Sequence, residues 1–302
     1  MKALILSRNA TLYSTQRLVF ECRKKRISVD VRDPLTFNCV IHQEGSKIFN
    51  EDGKEIKVDV VIPRIGSTIT NYGAAILRQF ELMKVPITTT SDALLMARDK
   101  LVALQKLAAH GLPIPKTSLI SPLSVDTEFI KKQFNFPLII KLLESTHGLG
   151  VILSESLNNT QSIAEAFQTL HQKYILQQFI REAQGSDIRA FIVNGELVAS
   201  MLRSAQGDEF RSNMHRGATA IPIKLTTEEE EIVLRSARIL DLSIAGVDFM
   251  RSKGGPVILE VNASPGLEGI ENVTKVNVAA KIITYARSLA EQNLAGLIKR
   301  IG

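Results

Sequence analysis

The 302-residue sequence has no tryptophan, and aromatic residues make up only 5% of it. That is too few for a protein that binds single-stranded nucleic acid by stacking bases on aromatic side chains. Its two cysteines, Cys22 and Cys39, have no metal or redox spacing, which excludes a disulfide scaffold and predicts a reducing, cytoplasmic location. No apolar run approaches the ~20 residues that cross a bilayer, so we expect no membrane partner. The chain is nonetheless 45% hydrophobic, enough for a substantial core.

Basic residues outnumber acidic ones, 37 against 31, which gives a net charge of +6. Residues 1–95 hold 14 basic and 10 acidic side chains, and residues 96–302 hold 23 and 21. Such a surplus is more often associated with a small anionic substrate, or with no specific partner, than with nucleic acid. No recognised nucleic-acid-binding motif occurs, so a nucleic-acid partner is kept only as an alternative.

Strands and helices alternate over the first 95 residues, from a strand at Lys2–Leu6 to a short strand at Val85–Thr89. This alternation predicts βαβ units around a parallel sheet. No Gly-x-Gly-x-x-Gly follows the first strand, so a dinucleotide site is not predicted there. Further along, Asn194-Gly195 predicts an antiparallel hairpin between Asp187–Val193 and Glu196–Arg203. The fold class is therefore α/β followed by α+β.

A later helix is predicted to begin with a capping box, because Thr227 and Glu230 have the Thr-x-x-Glu spacing. The four consecutive glutamates, residues 228–231, then lie in its first turn. Acidic side chains there complement the positive end of the helix dipole, so we do not interpret them as a metal site.

Two carboxylates are predicted to face each other across a hairpin near residue 250. If its turn comprises the three residues Lys253–Gly255, Asp248 lies opposite Glu260, and Asn262 follows on the same face. Opposed carboxylates repel each other, and a hard divalent cation that also binds phosphates would neutralise them. The alternate apolar residues of the second strand are predicted to pack in the core: Val257, Leu259 and Val261.

Lys141 interrupts the apolar run Pro137–Leu143. A lysine in such a run usually extends to solvent from the edge of a sheet. Here a turn containing Gly148 and Gly150 follows, and backbone N–H groups of such turns can approach phosphate. Neither a P-loop nor a dinucleotide fingerprint is present, so neither of those chemistries is predicted.

Motifs spread over nearly the whole chain resemble those of a known superfamily. They are Arg98-Asp99-Lys100, Ile140-Lys141, the small glycine loop, the strand Ile175–Ile180, Asp187-Ile-Arg189, Arg211-Ser-Asn213, Asp248 and Glu260-x-Asn262-x-Ser-Pro-Gly. Together they resemble the ATP-grasp superfamily. Three longer motifs resemble its RimK-type ligases, which add glutamate to the C-terminus of the sixth small-subunit ribosomal protein: Pro63-Arg64-Ile65-Gly66, Arg211-Ser-Asn213-x-His215-Arg216-Gly217 and Asn262-Ala-Ser-Pro-Gly-Leu-Glu-Gly269.

The resemblance implies an ATP-grasp fold with an N-terminal parallel-sheet domain at residues 1–95. Two α+β subdomains, residues 96–175 and 176–302, would clasp ATP. The implied nucleotide contacts are Lys100, Lys141, Gly148, Gly150, Gln178, Phe179, Asp187, Arg211, Ser212 and Asn213. Two Mg²⁺ or Mn²⁺ ions would be held by Asp248, Glu260 and Asn262, in agreement with the pattern described above. The glycine loop departs from the usual Glu-Gly-Thr-Gln-Gly-Ile-Gly, and residue 178 is Gln where relatives often carry Glu.

The implied reaction converts a carboxylate into an acyl phosphate with ATP, and an amine then displaces the phosphate. Arg189 and Arg203 are the candidates for stabilising the tetrahedral intermediate, with a structural salt bridge as the other interpretation of each. The hairpin register places Arg189 opposite Ser200 and Arg203 on the other face unless a bulge intervenes. This favours Arg189.

The implied partners are L-glutamate and the acidic C-terminal tail of a ribosomal protein. Arg64 and its basic neighbours are expected to hold such a tail, and Ser264 is a second expected substrate contact. Two alternatives stay open: an ATP-grasp ligase with another acceptor, such as an amino-group carrier protein or a small amino acid or peptide, and a basic nucleic-acid-binding protein without ATP turnover. The sequence also leaves open whether the chain forms a homo-oligomer.

Overall fold

The structure is a computed structural model that describes residues 1–143, 150–207, 211 and 217–301, with side chains up to residue 296. In this part of the chain, no helix is both long and apolar enough to cross a membrane. Three larger sheets and a separate two-stranded hairpin organise the described residues.

The first part of the chain forms a parallel sheet, as the alternating pattern predicts. Its elements are β1 (Lys2–Leu6), α1 (Tyr13–Lys24), β2 (Ser28–Arg32), the hairpin β3 (Asn38–His42) and β4 (Gly45–Phe49), β5 (Val60–Pro63) and α2 (Thr70–Leu82). β1 lies between β2 and β5 and runs parallel to both. The strand predicted at Val85–Thr89 is only a bridge between Val61 and Ile87, because the chain turns at once into the N-cap Thr90 of the next helix.

Two short helices follow, α3 (Ser91–Arg98) and α4 (Lys100–Ala109). Asp99 separates them: its backbone is extended, and its carboxylate accepts the N–H groups of Leu101 and Val102 at 3.0 Å. This is the N-cap arrangement that starts a new helix. Arg98 and Lys100 therefore lie on either side of a break in the chain direction.

The middle of the chain forms an antiparallel sheet with helices on one face. Its elements are β6 (Thr117–Leu119), α5 (Thr127–Gln133), β7 (Leu138–Leu142), β8 (Val151–Ser154), α6 (Leu157–Thr169) and β9 (Tyr174–Gln178), in the strand order β6-β9-β7-β8. Leu138, Ile140 and Leu176 pack with Ile130 of α5 and Ala164 of α6. Because successive side chains in a strand alternate between faces, Lys141 points to the face that these helices leave open.

The last part of the chain forms a five-stranded antiparallel sheet. Its elements are β10 (Ser186–Val193), β11 (Glu196–Ser204), β12 (Thr219–Pro222), α7 (Thr227–Ile239), β13 (Ile244–Ser252), β14 (Gly255–Asn262), α8 (Glu268–Thr274) and α9 (Val278–Ile301), in the strand order β12-β11-β10-β13-β14. One buried cluster contains Leu4 and Val61 of the first sheet together with Ile188 and Val247 of this one. The two ends of the chain therefore share a core.

The capping box of α7 lies one residue before its predicted place. The Oγ1 of Thr226 accepts the Glu229 N–H at 3.2 Å, and the Glu229 carboxylate accepts the Thr226 N–H at 2.9 Å. Both frames of the sequence have the required spacing. Tertiary structure selects this one, because Glu229 is buried against Arg251 of β13, whereas Glu230 is exposed.

Candidate active site

The hairpin that carries the predicted carboxylates has a tighter turn than expected. Ser252 pairs with Gly255 across the two residues Lys253-Gly254, and not with Pro256 across three. Gly255 has φ +105°, a conformation that side-chain-bearing residues rarely adopt, and Ser252 Oγ donates to its carbonyl at 2.8 Å. The register of the outer half of the hairpin is therefore shifted by one residue from the prediction.

A bulge beside Asp248 cancels this shift. Phe249 pairs with Ile258 whereas Asp248 pairs with Glu260, so that Leu259 is the extra residue. The two carboxylates face each other as predicted. The predicted core face was wrong in the outer half, where Ile258 is fully buried and Leu259 is not.

The β10–β11 hairpin also contains a bulge, and it determines where the two arginines lie. The predicted Asn194-Gly195 turn is present, but the register shifts by one residue beyond it. Arg189 consequently pairs with Met201 and not, as predicted, with Ser200. Since alternate residues of a strand share a face, Arg203 lies on the same face as Arg189. This is the arrangement that the sequence allowed only with a bulge.

Both arginines are bound to acidic side chains. Arg189 Nε donates to Asp248 Oδ1 at 2.6 Å, and its Nη2 donates to the other oxygen of that carboxylate. Arg203 donates to both oxygens of Asp187, at 2.7 and 2.5 Å, and its Nη2 lies 3.1 Å from Asp248 Oδ2. Glu260 is at the edge of this cluster, 4.0 Å from Arg189.

Asp248 is only 3% exposed, and its environment decides its charge. Burial by itself raises the pKa of Asp248, but the positive charges of Arg189 and Arg203 outweigh burial and hold the pKa well below its usual range. Burial by itself lowers the pKa of Arg203, but the carboxylates of Asp248 and Asp187 outweigh burial and raise it. Asp248 and Arg203 are therefore both charged at neutral pH.

Lys100 and Lys141 come together beside these acids from two different elements. Lys100 Nζ donates to the carbonyls of Leu142 and Leu143, at 3.2 and 3.4 Å, at the end of the strand that carries Lys141. Burial lowers the pKa of both lysines, and the carboxylate of Glu260 opposes this lowering. The two predicted phosphate-binding lysines thus lie within electrostatic range of a predicted metal ligand.

Two further predicted nucleotide contacts flank the lysines. Gly150 has φ +67°, and a Cβ there would lie 2.7 Å from Leu142 Cδ1, so the position requires glycine. Arg211 Nη1 donates to the Val151 carbonyl at 3.4 Å and so joins the last part of the chain to β8. Gly148, Ser212 and Asn213 lie outside the described residues.

Gln178 and Phe179 lie where β9 ends. Gln178 pairs with Leu138, so its side chain shares the face that packs against α5 and α6, opposite to the face of Lys141. A cavity of about 340 Å³ lies there, lined by Gln178, Phe179, Phe134, Phe136 and Lys116 among others. A nucleotide on the Lys141 face would therefore meet the backbone of Gln178 and not its amide.

Asp248, Glu260 and Asn262 offer oxygen ligands of the kind that Mg²⁺ takes. The Glu260 side chain is 43% exposed, and Asn262 Nδ2 donates to its Oε1 at 3.1 Å. Within the described residues, no three His, Cys, Asp or Glu side chains cluster as a complete metal site. The donor set fits an ion that also takes oxygens from phosphate and water.

Arg64 and Ser264 meet at the junction between the first and last parts of the chain. Arg64 Nη2 donates to the Pro265 carbonyl at 2.7 Å, next to Ser264, whose buried Oγ has no hydrogen-bond partner. Arg98 joins them, since its Nη2 donates to the Ile65 carbonyl at 2.5 Å. The sequence singled out Arg98 only as part of the Arg98-Asp99-Lys100 motif and gave it no role.

Solved structures of other proteins have a fold similar to that of this chain. The ATP-grasp ligase PsnB complexed with minimal precursor, Mg and ADP has a TM-score of 0.74 at 15% identity, covering 96% of this chain and 98% of PsnB. D-alanine–D-alanine ligase from Bacillus anthracis has a TM-score of 0.71 at 15% identity, covering 100% and 99%. Identities this low establish the fold alone, and that fold is ATP-grasp.

The sequence comparisons establish the family. A RimK PreATP-grasp domain matches residues 1–94, and a RimK-like ATP-grasp domain matches residues 97–286. Probable alpha-L-glutamate ligases from Thioalkalivibrio sulfidiphilus and Cellvibrio japonicus are 46% and 45% identical to this chain. The alignments cover 94% and 96% of this chain and 95% and 97% of those proteins. The chain belongs to the RimK-like ATP-grasp family and is an ATP-dependent ligase, as its motifs implied.

Proposed function

We propose that this protein joins L-glutamate to the carboxylate end of an acceptor, with conversion of ATP to ADP and phosphate. The observation that carries the proposal is the opposed pair Asp248–Glu260, with Lys100 and Lys141 within electrostatic range of Glu260. Relatives covered over nearly their whole length are named probable alpha-L-glutamate ligase, which supports glutamate as the substrate.

The reaction needs an activated carboxylate, because a carboxylate oxygen is too poor a leaving group for an amine to displace. An acceptor oxygen attacks the γ-phosphorus of ATP, the bond to the β–γ bridging oxygen breaks, and ADP leaves. The glutamate nitrogen then attacks the acyl carbon. The bond to phosphate breaks, phosphate leaves, and the nitrogen gives up a proton.

Lys100 and Lys141 are the residues proposed to bind the phosphates, with the backbone near Gly150 beside them. Asp248, Glu260 and Asn262 would hold Mg²⁺ or Mn²⁺, and we propose two ions. When bound, the metal neutralises charge on the transferred phosphoryl group. The backbone at Gln178 and Phe179 is proposed to border the adenine, and Arg211 with Ser212 and Asn213 to contact the nucleotide.

Arg189 is proposed to stabilise the tetrahedral intermediate. Its side chain is 17% exposed and lies 4.0 Å from Glu260, whereas the Arg203 side chain is only 5% exposed. Each arginine is in a bidentate pair with an aspartate. Arg203 and Asp187 are better suited to positioning Asp248 and Arg189 than to touching the nucleotide directly. We propose this positioning role for Asp187, and the direct nucleotide contact that the resemblance implies stays a prediction.

The acceptor that we propose is the acidic C-terminal tail of the sixth small-subunit ribosomal protein, contacted by Arg64 and Ser264. Burial lowers the pKa of Arg64 to about 10, so its guanidinium stays charged at neutral pH. Of the described acidic side chains, none lies within ion-pair distance of Arg64. Its charge is therefore available to a carboxylate. An amino-group carrier protein or a small amino acid or peptide is the competing acceptor.

Intact-mass analysis tests this proposal. Each candidate acceptor is incubated with the enzyme, ATP, Mg²⁺ and L-glutamate, and we expect mass increases of whole glutamate residues on the ribosomal protein. Lys141→Met serves as the inactive variant, and Lys132→Met, on the exposed side of α5, as its matched control. If only a different acceptor gains mass, that acceptor takes the place of the ribosomal protein in the proposal. Metal-dependent ADP formation without any glutamate addition would contradict the glutamate assignment itself.

A further inference from the structure

Arg98 carries a positive charge that the fold leaves largely unbalanced. Its Nη2 donates to the Ile65 carbonyl, but its Nε is buried and has no hydrogen-bond partner. No acidic side chain among the described residues comes within ion-pair distance of this guanidinium. A buried guanidinium nitrogen without a partner is costly, and an anionic ligand relieves that cost.

Two other groups at the same junction are also unsatisfied. Arg64 is a second cation, partly buried, without an acidic partner in the described part of the chain. Burial is the larger cause of its lowered pKa, and the charge of Arg98 lowers that pKa further. The buried Ser264 Oγ has no hydrogen-bond partner either. Two arginines that repel each other and an unpaired hydroxyl are the donor set that a carboxylate accepts.

Arg98 also faces the chemistry. Burial lowers its pKa, and the carboxylate of Glu260 opposes this. Burial lowers the pKa of Lys100, and the positive charge of Arg98 lowers it further. Arg98 is thus within electrostatic range both of Arg64, a proposed acceptor contact, and of Lys100 and Glu260, which are proposed to bind the phosphates and the metal.

We infer that Arg98 binds the reactive carboxylate of the acceptor, with Arg64 and Ser264 as its neighbours in one carboxylate pocket. This inference rests on the proposed function and adds a residue to it. A guanidinium that holds one carboxylate oxygen leaves the second oxygen free to attack the γ-phosphorus. Binding energy at Arg98 is then used to orient the nucleophile.

A purely structural role is the competing explanation, since Arg98 also joins α3 to the Ile65 carbonyl. Binding experiments separate the two roles, because a structural role does not depend on the chemistry of the ligand. The probes are a six-residue synthetic peptide that ends in two glutamates with a free C-terminus, and the same peptide with a C-terminal amide. The amide keeps the side-chain carboxylates and removes only the terminal one.

The proteins compared are the wild type, Arg98→Met, Arg98→Lys and the control Arg78→Met. Arg78 is an exposed arginine of α2 that pairs with Asp92. Peptide and ADP affinities are measured by calorimetry with Mg²⁺ present. For Arg98→Met we expect affinity for the free-acid peptide to fall about 10- to 100-fold, in line with a lost charge-assisted hydrogen bond. Arg98→Lys should restore part of it, and neither variant should change ADP affinity more than about threefold.

Equal affinity of the wild type for the acid and amide peptides would overturn the pocket, as would unchanged acid-peptide binding in Arg98→Met. If Arg98→Met does not fold, Arg98→Lys and Ser264→Ala are measured in its place. Arg98-dependent binding without amide formation in the wild type would leave the pocket standing and contradict the proposed function. If Arg98→Met ligates as fast as the wild type, the carboxylate pocket is contradicted and the proposed function still stands.

Discussion

Arg203 Nη2 lies 3.1 Å from Asp248 Oδ2, while the same guanidinium holds both oxygens of Asp187. One buried cation thus joins two buried carboxylates, and a second arginine, Arg189, holds both oxygens of Asp248. The four side chains form a connected network, and Glu260 lies 4.0 Å from its member Arg189. Because charges within it are satisfied by one another, it holds Asp248 fixed before any ligand arrives.

Removing Arg203 is expected to destabilise the fold. Arg203→Met takes away the cation shared by Asp187 and Asp248, and breaking a buried ion pair in this way costs about 3–5 kcal/mol. Arg203→Lys keeps the charge but not the bidentate geometry, so a smaller loss is expected. Urea unfolding gives the free energies. Arg287→Met removes an exposed i,i+4 pair and should change stability by less than about 1 kcal/mol. Similar losses for Arg203→Met and Arg287→Met would contradict the network.

The pH dependence of stability is expected to carry the signature of Asp248. Its pKa is lower in the folded protein than in the unfolded chain, where it is about 3.9. The stabilisation is therefore fully present above about pH 4 and is lost as the pH falls below that value towards the folded pKa. Asp248→Asn lacks this contribution, so the stabilities of wild type and variant should converge between about pH 4 and pH 2. Parallel urea midpoints over that range would rule out the assignment.

Substituting Glu260 is expected to raise the metal requirement of the reaction. Glu260→Gln keeps the size and the hydrogen bond from Asn262 but removes one charge from the proposed metal ligands. We expect the Mg²⁺ concentration for half-maximal ADP formation to rise at least about tenfold, with urea stability close to that of the wild type. Glu196→Gln, at the exposed start of β11, is the control. An unchanged Mg²⁺ dependence would remove Glu260 from the ligand set.

The sequence predicted the Asp248–Glu260 pair although it assigned the wrong turn. The three-residue turn was one residue too long, and a bulge at Leu259 compensates for the difference. Alternation and turn residues predict the ideal register of a hairpin, but bulges depend on which residues the neighbouring layer buries. Ile258 is an example, since it is fully buried in a core cluster that also contains residues of α4 and α7.

The β3–β4 hairpin and the unpartnered Nε of Arg98 could not be predicted from sequence patterns, each for its own physical reason. The hairpin β3–β4 gave no signal because every residue of β3 is exposed, so no buried face marks it. The unpartnered Nε of Arg98 depends on the packing of α3 against Ile65, which no spacing encodes. By contrast, the resemblance of the motifs to a known superfamily singled out both lysines, Lys100 and Lys141, as phosphate contacts. The structure brings both within electrostatic range of Glu260, and the phosphate contact itself stays a prediction.

The position of the α7 capping box predicts a difference between two adjacent glutamates. Glu229→Ala removes the cap contact with Thr226 and the ion pair with Arg251, and we expect a loss of about 2 kcal/mol. Glu230→Ala removes an exposed side chain and should change stability by less than about 0.5 kcal/mol. Urea unfolding of the two variants distinguishes them. The opposite order would restore the frame that the sequence suggested, Thr227 with Glu230.

Glu271 is expected to be the residue that secures the first helix to the end of the chain. Its carboxylate accepts hydrogen bonds from Tyr13 at 3.0 Å and Arg17 at 2.8 Å, both in α1, and from the Ala279 N–H at 2.9 Å in α9. Glu271→Ala leaves these donors buried or half-buried without their acceptor, so we expect a loss of about 2–4 kcal/mol in urea unfolding. Glu268→Ala, on the exposed side of the same helix, is the control, with an expected change below about 0.5 kcal/mol. Equal effects of the two substitutions would show that α1 is secured by apolar contacts with α9 alone.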